Sequence, residues 1–237
     1  MSKEKAKIIR NQIIDDYYGN VYQTFLFGGG AQGKGIHYFE NQVENFWTNS
    51  QPKRVLEIGG GSGEHLPFIS YVPIESYTSI DLRPPMTEEH LKNAPHSLRA
   101  KLSFVQGNAE SLPFKDHHFD RVFTTCLLHH VDDVLAVLLE ARRVTEQGGE
   151  IVFVFPTDPG VFNQSIKKFV TFRRIRKLTT ITPQLIYAFE HQNHVLGIIE
   201  QIKYVFALDD LDFHYRPFRF FRSWNLNLLV VAKIVKR

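Results

Sequence analysis

The sequence has little of several features that mark specialised classes of protein. Its 237 residues include one cysteine, Cys126, which excludes an intramolecular disulfide and a multi-cysteine zinc site. No apolar run approaches the roughly 20 residues of a membrane-spanning helix. The charged N-terminus lacks the apolar stretch of a signal peptide. We therefore expect a soluble, cytoplasmic protein whose length suits one domain.

Acidic residues are scarce in the distal third of the chain. Residues 1–158 carry a net charge of −5, whereas residues 159–237 carry 13 Lys and Arg against 5 Asp and Glu. Basic and aromatic residues interleave in 166–177 and 216–224. This pattern suits peripheral contact with an anionic membrane or a lipid-linked acceptor, or contact with RNA, or an ordinary solvated face. The modest net charge of +3 disfavours nucleic acid.

Short apolar runs alternate with segments of helical period between residues 53 and 156. The runs predict five strands, at 53–58, 76–81, 102–107, 119–125 and 150–155. Strands that alternate with helices form a parallel sheet covered on both faces.

The rest of the chain extends this plan. Two final strands are predicted at 202–208 and 226–235, which gives a Rossmann-like α/β fold with a seven-stranded, mostly parallel sheet. We expect residues 1–48 to form an N-terminal helical cap and residues 49–237 the main domain, with an insertion at about 157–200 after strand five.

A glycine-rich turn follows the first predicted strand. Gly59, Gly61 and Gly63 allow a tight turn and a close approach of the backbone to a ligand. In an open parallel sheet, ligands bind at the carboxyl ends of the strands. Asp81 ends the second strand, where it can accept hydrogen bonds from a ribose diol. These residues predict an adenosine-containing ligand.

Two glutamates identify the ligand further. Glu64 stands where a dinucleotide-binding G-x-G-x-x-G motif needs its third glycine. Glu57, directly before the turn, would repel a pyrophosphate, but its charge suits the ammonium and sulfonium groups of S-adenosylmethionine. The sequence therefore favours S-adenosyl-L-methionine over a nicotinamide dinucleotide.

Four segments then resemble a known family: VLEIGGGSGEHL, SIDL, GNAESLPFKDHHFDRVFTTCLLHHVDD and ARRVTEQGGEIVFVFP. In this order they are similar to the motifs of class I S-adenosylmethionine-dependent methyltransferases, and closest to the type 11 subgroup typified by ubiquinone and menaquinone C-methyltransferases. The resemblance covers roughly residues 53–156. It implies the cofactor but leaves the acceptor open, because that subgroup includes C-, N- and O-methyltransferases.

The resemblance also implies roles for individual residues. Glu57, Gly59 and Gly61 would contact the methionine moiety of the cofactor, and Asp81 its ribose hydroxyls. The adenine would be held by the side chain of Asn108, the backbone N–H of Ala109 and packing against Leu82. Thr125, at the end of the fourth strand, would touch the methionyl part from its backbone.

Three histidines are candidates for the catalytic side of the site. His129 and His130 follow the fourth strand at the mouth of the expected pocket, and His130 is the first candidate for a general base or a substrate-orienting group. A packing role is the alternative. His191 lies with His194 in the insertion, where a substrate-pocket role is expected. No metal site is predicted, because neither a third ligand nor an H-E-x-x-H motif accompanies this pair.

A second glycine-rich segment, GGGAQGKG at 28–35, nearly matches a P-loop. Gly35 replaces the Ser or Thr that ligates magnesium there, and no βαβ unit surrounds the segment. We expect either a lid that closes over the cofactor or a solvent-exposed connection between helices.

These features predict a methyltransferase that uses in-line displacement and leaves S-adenosyl-L-homocysteine as product. The acceptor is expected to be a small molecule or a lipid- or glycan-linked compound. An RNA methyltransferase and a catalytically silent, cofactor-binding partner protein are the alternatives.

Overall fold

The architecture centres on a seven-stranded sheet. The computed structural model describes residues 3–22, 24, 31–47, 51–69, 74–84 and 91–237. The strands are β1 (Arg54–Ile58), β2 (Ser76–Asp81), β3 (Leu102–Gln106), β4 (Phe119–Thr125), β5 (Thr145–Pro156), β6 (Asp210–Arg216) and β7 (Leu229–Val235), in the spatial order β3-β2-β1-β4-β5-β7-β6. The pairs among β1–β5 are parallel, and β7 runs antiparallel to both β5 and β6. The predicted mostly parallel, Rossmann-like sheet is confirmed.

Helices cover the sheet and precede it. They are α1 (Lys3–Asp16), which continues as a π-helical turn at Tyr17–Tyr22, α2 (Ala31–Glu44), α3 (Val134–Val144), α4 (Val161–Ile166), which leads through the π-helical turn Lys167–Thr171 into α5 (Phe172–Ile175), α6 (Pro183–Glu190) and α7 (Val195–Val205). None of the helices in the described ranges has the length and apolar character that crossing a bilayer requires. Within the second glycine-rich segment, residues 28–30 lie outside the described part, and residues 31–35 form the start of α2.

Alternate residues of the central strands are buried on opposite faces. Leu56 on β1 packs into a core with α3 and α7, whereas its neighbour Val55 packs into a second core with Val43 of α2. Parallel strands covered on both faces read as continuous apolar runs. This explains why five strands could be recognised from such runs.

The predicted strand at 202–208 is wrong. That segment contains the end of α7, where Val195, Ile198 and Ile202 are buried at helical spacing. A short apolar run does not distinguish a strand from a buried helix. The sixth strand begins at Asp210, in a segment whose mixed polarity reflects its position at the edge of the sheet. The helical stretch expected after the first glycine-rich turn is, in the described part, only a 3₁₀ turn at Leu66–Phe68.

A buried histidine joins α2 to the turn after β1. His65 Nδ1 lies 3.0 Å from Glu40 Oε2, and its Nε2 lies 2.9 Å from Glu44 Oε1. Burial by itself lowers the pKa of His65, but the two carboxylates outweigh burial and raise it to about 10. His65 is therefore an imidazolium at neutral pH, held between two acids of α2.

We expect His65→Gln to destabilise the fold by about 3–5 kcal/mol at pH 6, because two buried carboxylates lose their counter-ion. Protonated His65 contributes to the free energy of unfolding. This contribution is fully present below the unfolded-state pKa of about 6.5 and is lost as the pH rises through about 10. The difference from the wild type should therefore shrink at pH 9. Urea unfolding at both pH values measures it, with the exposed His96→Gln as control. A loss of stability that is equal at pH 6 and pH 9 would contradict the assignment of His65 as a buried imidazolium.

Candidate active site

A cavity of about 1800 Å³ opens at the carboxyl ends of β1–β5. The strand order reverses at β1, which lies between β2 and β4, and ligands of open α/β sheets bind at such a point. The opposite wall comes from α1 and its π-helical turn, through Ile9, Tyr18 and Tyr22, and from the segment after β5, through Ile166 and Tyr187. The volume exceeds the roughly 300–1000 Å³ of a site for one small ligand, so there is room for two ligands side by side.

The structure brings nearly all predicted site residues to this one cavity. Its walls include Glu57, Gly59, Gly61, Asp81, Leu82, Asn108, Ala109, Thr125, His129, His130 and His191. Gly63 does not line it, and its N–H instead donates to the carbonyl of Gly60 at 2.8 Å within the turn. His194 is also absent from the walls.

The turn after β1 has a conformation and a tightness that favour glycine. Gly59, Gly61 and Gly63 all have positive φ. A Cβ on Gly60 would lie 1.9 Å from Ser79 Oγ and 2.7 Å from Glu57 Oε2, so this position admits no side chain without displacement. The sequence argument did not single out Gly60, although it stands inside the recognised motif.

Asp81 supports the same turn while it faces the cavity. Its Oδ2 accepts the Gly61 N–H at 3.1 Å, and its Oδ1 accepts the Arg83 N–H at 2.9 Å. Asn108 Oδ1 accepts the Glu110 N–H at 2.9 Å, which fixes its side chain at the cavity edge. Each oxygen keeps a further lone pair with which it can contact a ligand.

Glu57 is a buried carboxylate that accepts a hydrogen bond from a tyrosine. Its Oε2 accepts a hydrogen bond from the Tyr77 hydroxyl at 2.8 Å. Burial raises the pKa of Glu57 to about 7, and the negative charges of Glu40 and Glu64 act in the same direction against the opposing charge of His65. A cation bound in the cavity would favour the ionised form.

His129, His130 and His191 cluster at one end of the cavity. The ring centroid of His129 lies 3.9 Å from that of His130 and 4.4 Å from that of His191. Burial lowers the pKa of His130 and of His191 to about 4, and that of His129 well below its usual value. All three rings are therefore neutral at pH 7.

His191, from the insertion after β5, thus joins the predicted pair of His129 and His130. Two residues that the sequence analysis missed hold His191 in place. Asp158 Oδ2 accepts a hydrogen bond from His191 Nδ1 at 2.6 Å. Lys167 forms an ion pair with the same carboxylate. Burial alone would raise the pKa of Asp158, but His191 and Lys167 lower it to about 2.

The position of Lys167 corrects one part of the sequence interpretation. We counted Lys167 in the basic surface segment 166–177, but its side chain is buried in the cavity wall. The sequence offered one indication that Asp158 belongs to the site. It stands two residues beyond the end of β5, and residues at the strand ends of this edge line the site.

The N-terminal segment attaches to the site through Tyr18. Its hydroxyl donates to the carboxylate of Glu190 at the end of α6. The guanidinium carbon of Arg83 lies 3.4 Å from the centroid of the Tyr18 ring, a cation–π contact. Arg10 of α1 also donates to the carbonyl of Phe189 at 3.1 Å.

Comparisons with known proteins agree with this geometry. Residues 56–153 match the family model described as "Methyltransferase domain". The chain is 33% identical over 142 residues to the ubiquinone/menaquinone biosynthesis C-methyltransferase UbiE of Ruegeria sp. (strain TM1040), an alignment that covers 59% of this chain and 57% of that relative. The chain thus spans little more than half the length of this curated relative.

Solved structures show the same fold at low sequence identity. A Thermotoga maritima protein described as a SAM-dependent methyltransferase and possible histamine N-methyltransferase has a TM-score of 0.63 at 16% identity, with 94% of this chain and 98% of that chain covered. Phosphoethanolamine N-methyltransferase 2 of Haemonchus contortus, in complex with S-adenosyl-L-methionine, has a TM-score of 0.58 at 16% identity, with 83% and 52% covered.

We expect the affinity for S-adenosylmethionine to fall about tenfold from pH 8 to pH 6. The cofactor is cationic, and the Glu57 carboxylate, whose pKa is about 7, becomes protonated across this range. Isothermal titration calorimetry at several pH values measures the effect. Glu57→Gln should bind the cofactor weakly at every pH, with little pH dependence. An unaltered pH dependence in that variant would assign the titration to another group.

Asp81→Ala should weaken binding of S-adenosylmethionine by about 1–3 kcal/mol, or about 5- to 150-fold, because a charged acceptor is lost from the cavity. The matched control is Asp132→Ala, which removes an exposed carboxylate from the same cavity wall. Equal affinities of the two variants would remove Asp81 from the cofactor site.

Proposed function

We propose that this chain is a class I S-adenosylmethionine-dependent methyltransferase and that it transfers a methyl group to a small-molecule or lipid-linked acceptor. One observation carries the proposal. A single cavity joins the glycine turn and Asp81, at one end, to three neutral histidines at the other. Such a cavity can hold a cofactor and an acceptor together.

The residues of the first end suit S-adenosylmethionine. Gly59, Gly60 and Gly61 of the turn line the cavity, so their backbone can approach the cofactor closely. Glu57 supplies a buried negative charge near the methionine part, and Asp81 supplies acceptors for ribose hydroxyls. Thr125 offers its backbone, while its Oγ1 is buried without a hydrogen-bond partner among the described residues.

The adenine end completes the proposed cofactor site. Asn108 would bond the adenine amino group, Ala109 would offer its N–H, and Leu82 would pack on the ring. Leu82 is 71% exposed beside the cavity, so a bound ring would cover an apolar side chain that is otherwise in contact with water.

When bound, the cofactor supplies an electrophilic methyl group on a sulfonium, so the protein has mainly to align the acceptor and exclude water. Tyr18 and its neighbours Tyr17 and Tyr22 in the π-helical turn line the cavity. The residues that act on the acceptor are His130, His129 and His191. With pKa values of about 4, His130 and His191 are weak proton acceptors at neutral pH, but as neutral rings each has a free lone pair for an acceptor group.

The walls favour an apolar acceptor. Ile166 and Val170 line the cavity, and Phe169, beside Val170, is 57% exposed. Phe162 of α4, the helix that leads into the segment 166–177, contacts Phe218 of the segment 216–224, with ring centroids 5.4 Å apart. An anionic membrane would find exposed apolar side chains there, including Phe220 at 97% exposure.

An acceptor with an aromatic head and an apolar tail fits this arrangement. The relative from Ruegeria is named for C-methylation in ubiquinone and menaquinone biosynthesis, which favours the quinone class. We include in the proposal peripheral membrane contact through 166–177 and 216–224, and a helical cap at residues 1–48. A cytoplasmic location agrees with the single cysteine. The comparisons do not favour an RNA acceptor or a silent partner protein.

Thermal unfolding with separate additions of S-adenosylmethionine, S-adenosylhomocysteine, NAD and ATP tests the cofactor. At about 100 times its Kd a ligand stabilises the fold by about 2.7 kcal/mol, which raises the Tm by several degrees in a chain of this size. We expect a rise with the two S-adenosyl compounds only. A rise with NAD or ATP alone would overturn the proposal.

A methyl-transfer assay then tests the acceptor class. The probes are a hydroxylated quinol without a tail and a prenylated one in vesicles that contain anionic phospholipid. We expect methylation of the prenylated quinol to exceed that of the tailless compound. If the cofactor binds but neither quinol is methylated, quinols are excluded as the acceptor class.

A further inference from the structure

We propose that His129, His130 and His191 form a binding site for a divalent transition-metal ion, with zinc as the best match. The site lies at the end of the cavity assigned to the acceptor. Its role there rests on the proposed methyl transfer, whereas metal binding itself can be measured without it. The donor set, three imidazoles that line a cavity, is that of catalytic zinc sites with three histidines.

The three rings are close enough to share one ion. One ring nitrogen from each histidine lies within 4.8 Å of the others. Nitrogens bound to zinc at about 2.0–2.1 Å in a tetrahedral arrangement lie about 3.4 Å apart. Side-chain rotations that shorten the distances between these nitrogens by up to about 1.4 Å would therefore bring them into a bound geometry.

Two of the rings already have the outer contacts that metal-ligating histidines make. His130 Nδ1 lies 2.9 Å from the carbonyl oxygen of Glu190, and His191 Nδ1 lies 2.6 Å from Asp158 Oδ2. Since both partners are acceptors, Nδ1 carries the proton in each neutral ring and Nε2 keeps its lone pair. A ligating histidine donates its other N–H to a carbonyl or carboxylate in this way.

The third ring has an unsatisfied nitrogen. His129 is 3% exposed, and its Nδ1 is buried without a hydrogen-bond partner in the described part of the chain. Buried polar atoms in folded proteins are nearly always paired. An ion bound to this nitrogen and shared with His130 and His191 would supply the missing partner.

The charges around the cluster are balanced. Asp158 and Glu190 contribute carboxylates, while Lys167 and Arg83 contribute cations. Asp158 contacts both Lys167 and His191, so it would polarise the His191 ring toward a bound ion.

The histidines are weak proton acceptors, and a bound ion would activate an acceptor hydroxyl in their place. His129, His130 and His191 would hold the ion, and the ion would supply Lewis-acid chemistry that lowers the pKa of an acceptor hydroxyl, so that the hydroxyl would release its proton to solvent and become a stronger nucleophile. The sequence analysis expected no metal because it paired His191 with His194. The structure places His191 beside His129 and His130 instead, so the proposal revises that expectation.

Metal titration of the whole chain tests the site. Chelator-treated protein is titrated with Zn²⁺ against a chromophoric indicator, and with Co²⁺ as a spectroscopic probe. We expect a single ion per chain and the visible absorption of four-coordinate Co²⁺. His130→Ala and His191→Ala should abolish both signals. Asp158→Asn should weaken Zn²⁺ binding about 10- to 100-fold, since it leaves the ligands in place but removes the charge behind one of them.

His194→Ala is the matched control, because His194 is exposed and lies three residues from His191. It should bind Zn²⁺ as the wild type does. Binding that is equal in His191→Ala and His194→Ala would show an adventitious ion only and would overturn the site. The thermal shift with S-adenosylhomocysteine reports folding in each variant. Cofactor binding without metal binding defeats this inference alone, whereas metal binding without cofactor binding defeats the proposed function.

Discussion

The carboxylate of Glu57 is buried where β1 leads into the glycine-rich turn, and the cofactor side of the site depends on this buried charge. The Tyr77 hydroxyl donates a hydrogen bond to it. The backbone of Gly60 comes so close that a Cβ would touch the carboxylate. The imidazolium of His65, bound by two acids of α2, opposes the rise in its pKa. A buried negative charge kept near its ionisation point is prepared for a cationic ligand.

The opposite end of the cavity depends on segments that are far apart in the chain. His129 and His130 follow β4, Asp158 follows β5, and His191 follows α6. Their contacts join these segments at one edge of the sheet, and Tyr18 adds the N-terminal segment through Glu190. The acceptor end of the site is therefore assembled from long-range contacts, whereas the cofactor end comes mainly from consecutive strand ends.

This difference explains what could be predicted from the sequence. Glu57, Asp81 and Asn108 stand directly after or within apolar strands, so local pattern and family resemblance placed them in one cavity. Asp158 and Lys167 belong to no local motif, and a lysine in a basic segment gives no sign that it is buried. The segment 202–208 was misassigned because its apolar run also fits the buried face of α7, and only packing against α3 decides between strand and helix.

The order β5-β7-β6 has a consequence for how the protein is made. β6 is an edge strand whose sheet neighbour is β7, and β7 follows it in the chain. During synthesis β6 therefore leaves the ribosome before the strand that it pairs with, and β5 keeps an open edge for the same interval. An unpaired edge is a template for association with other chains. Translation of β7 thus pairs the open edge of β5 and one edge of β6, and both are removed as templates for association.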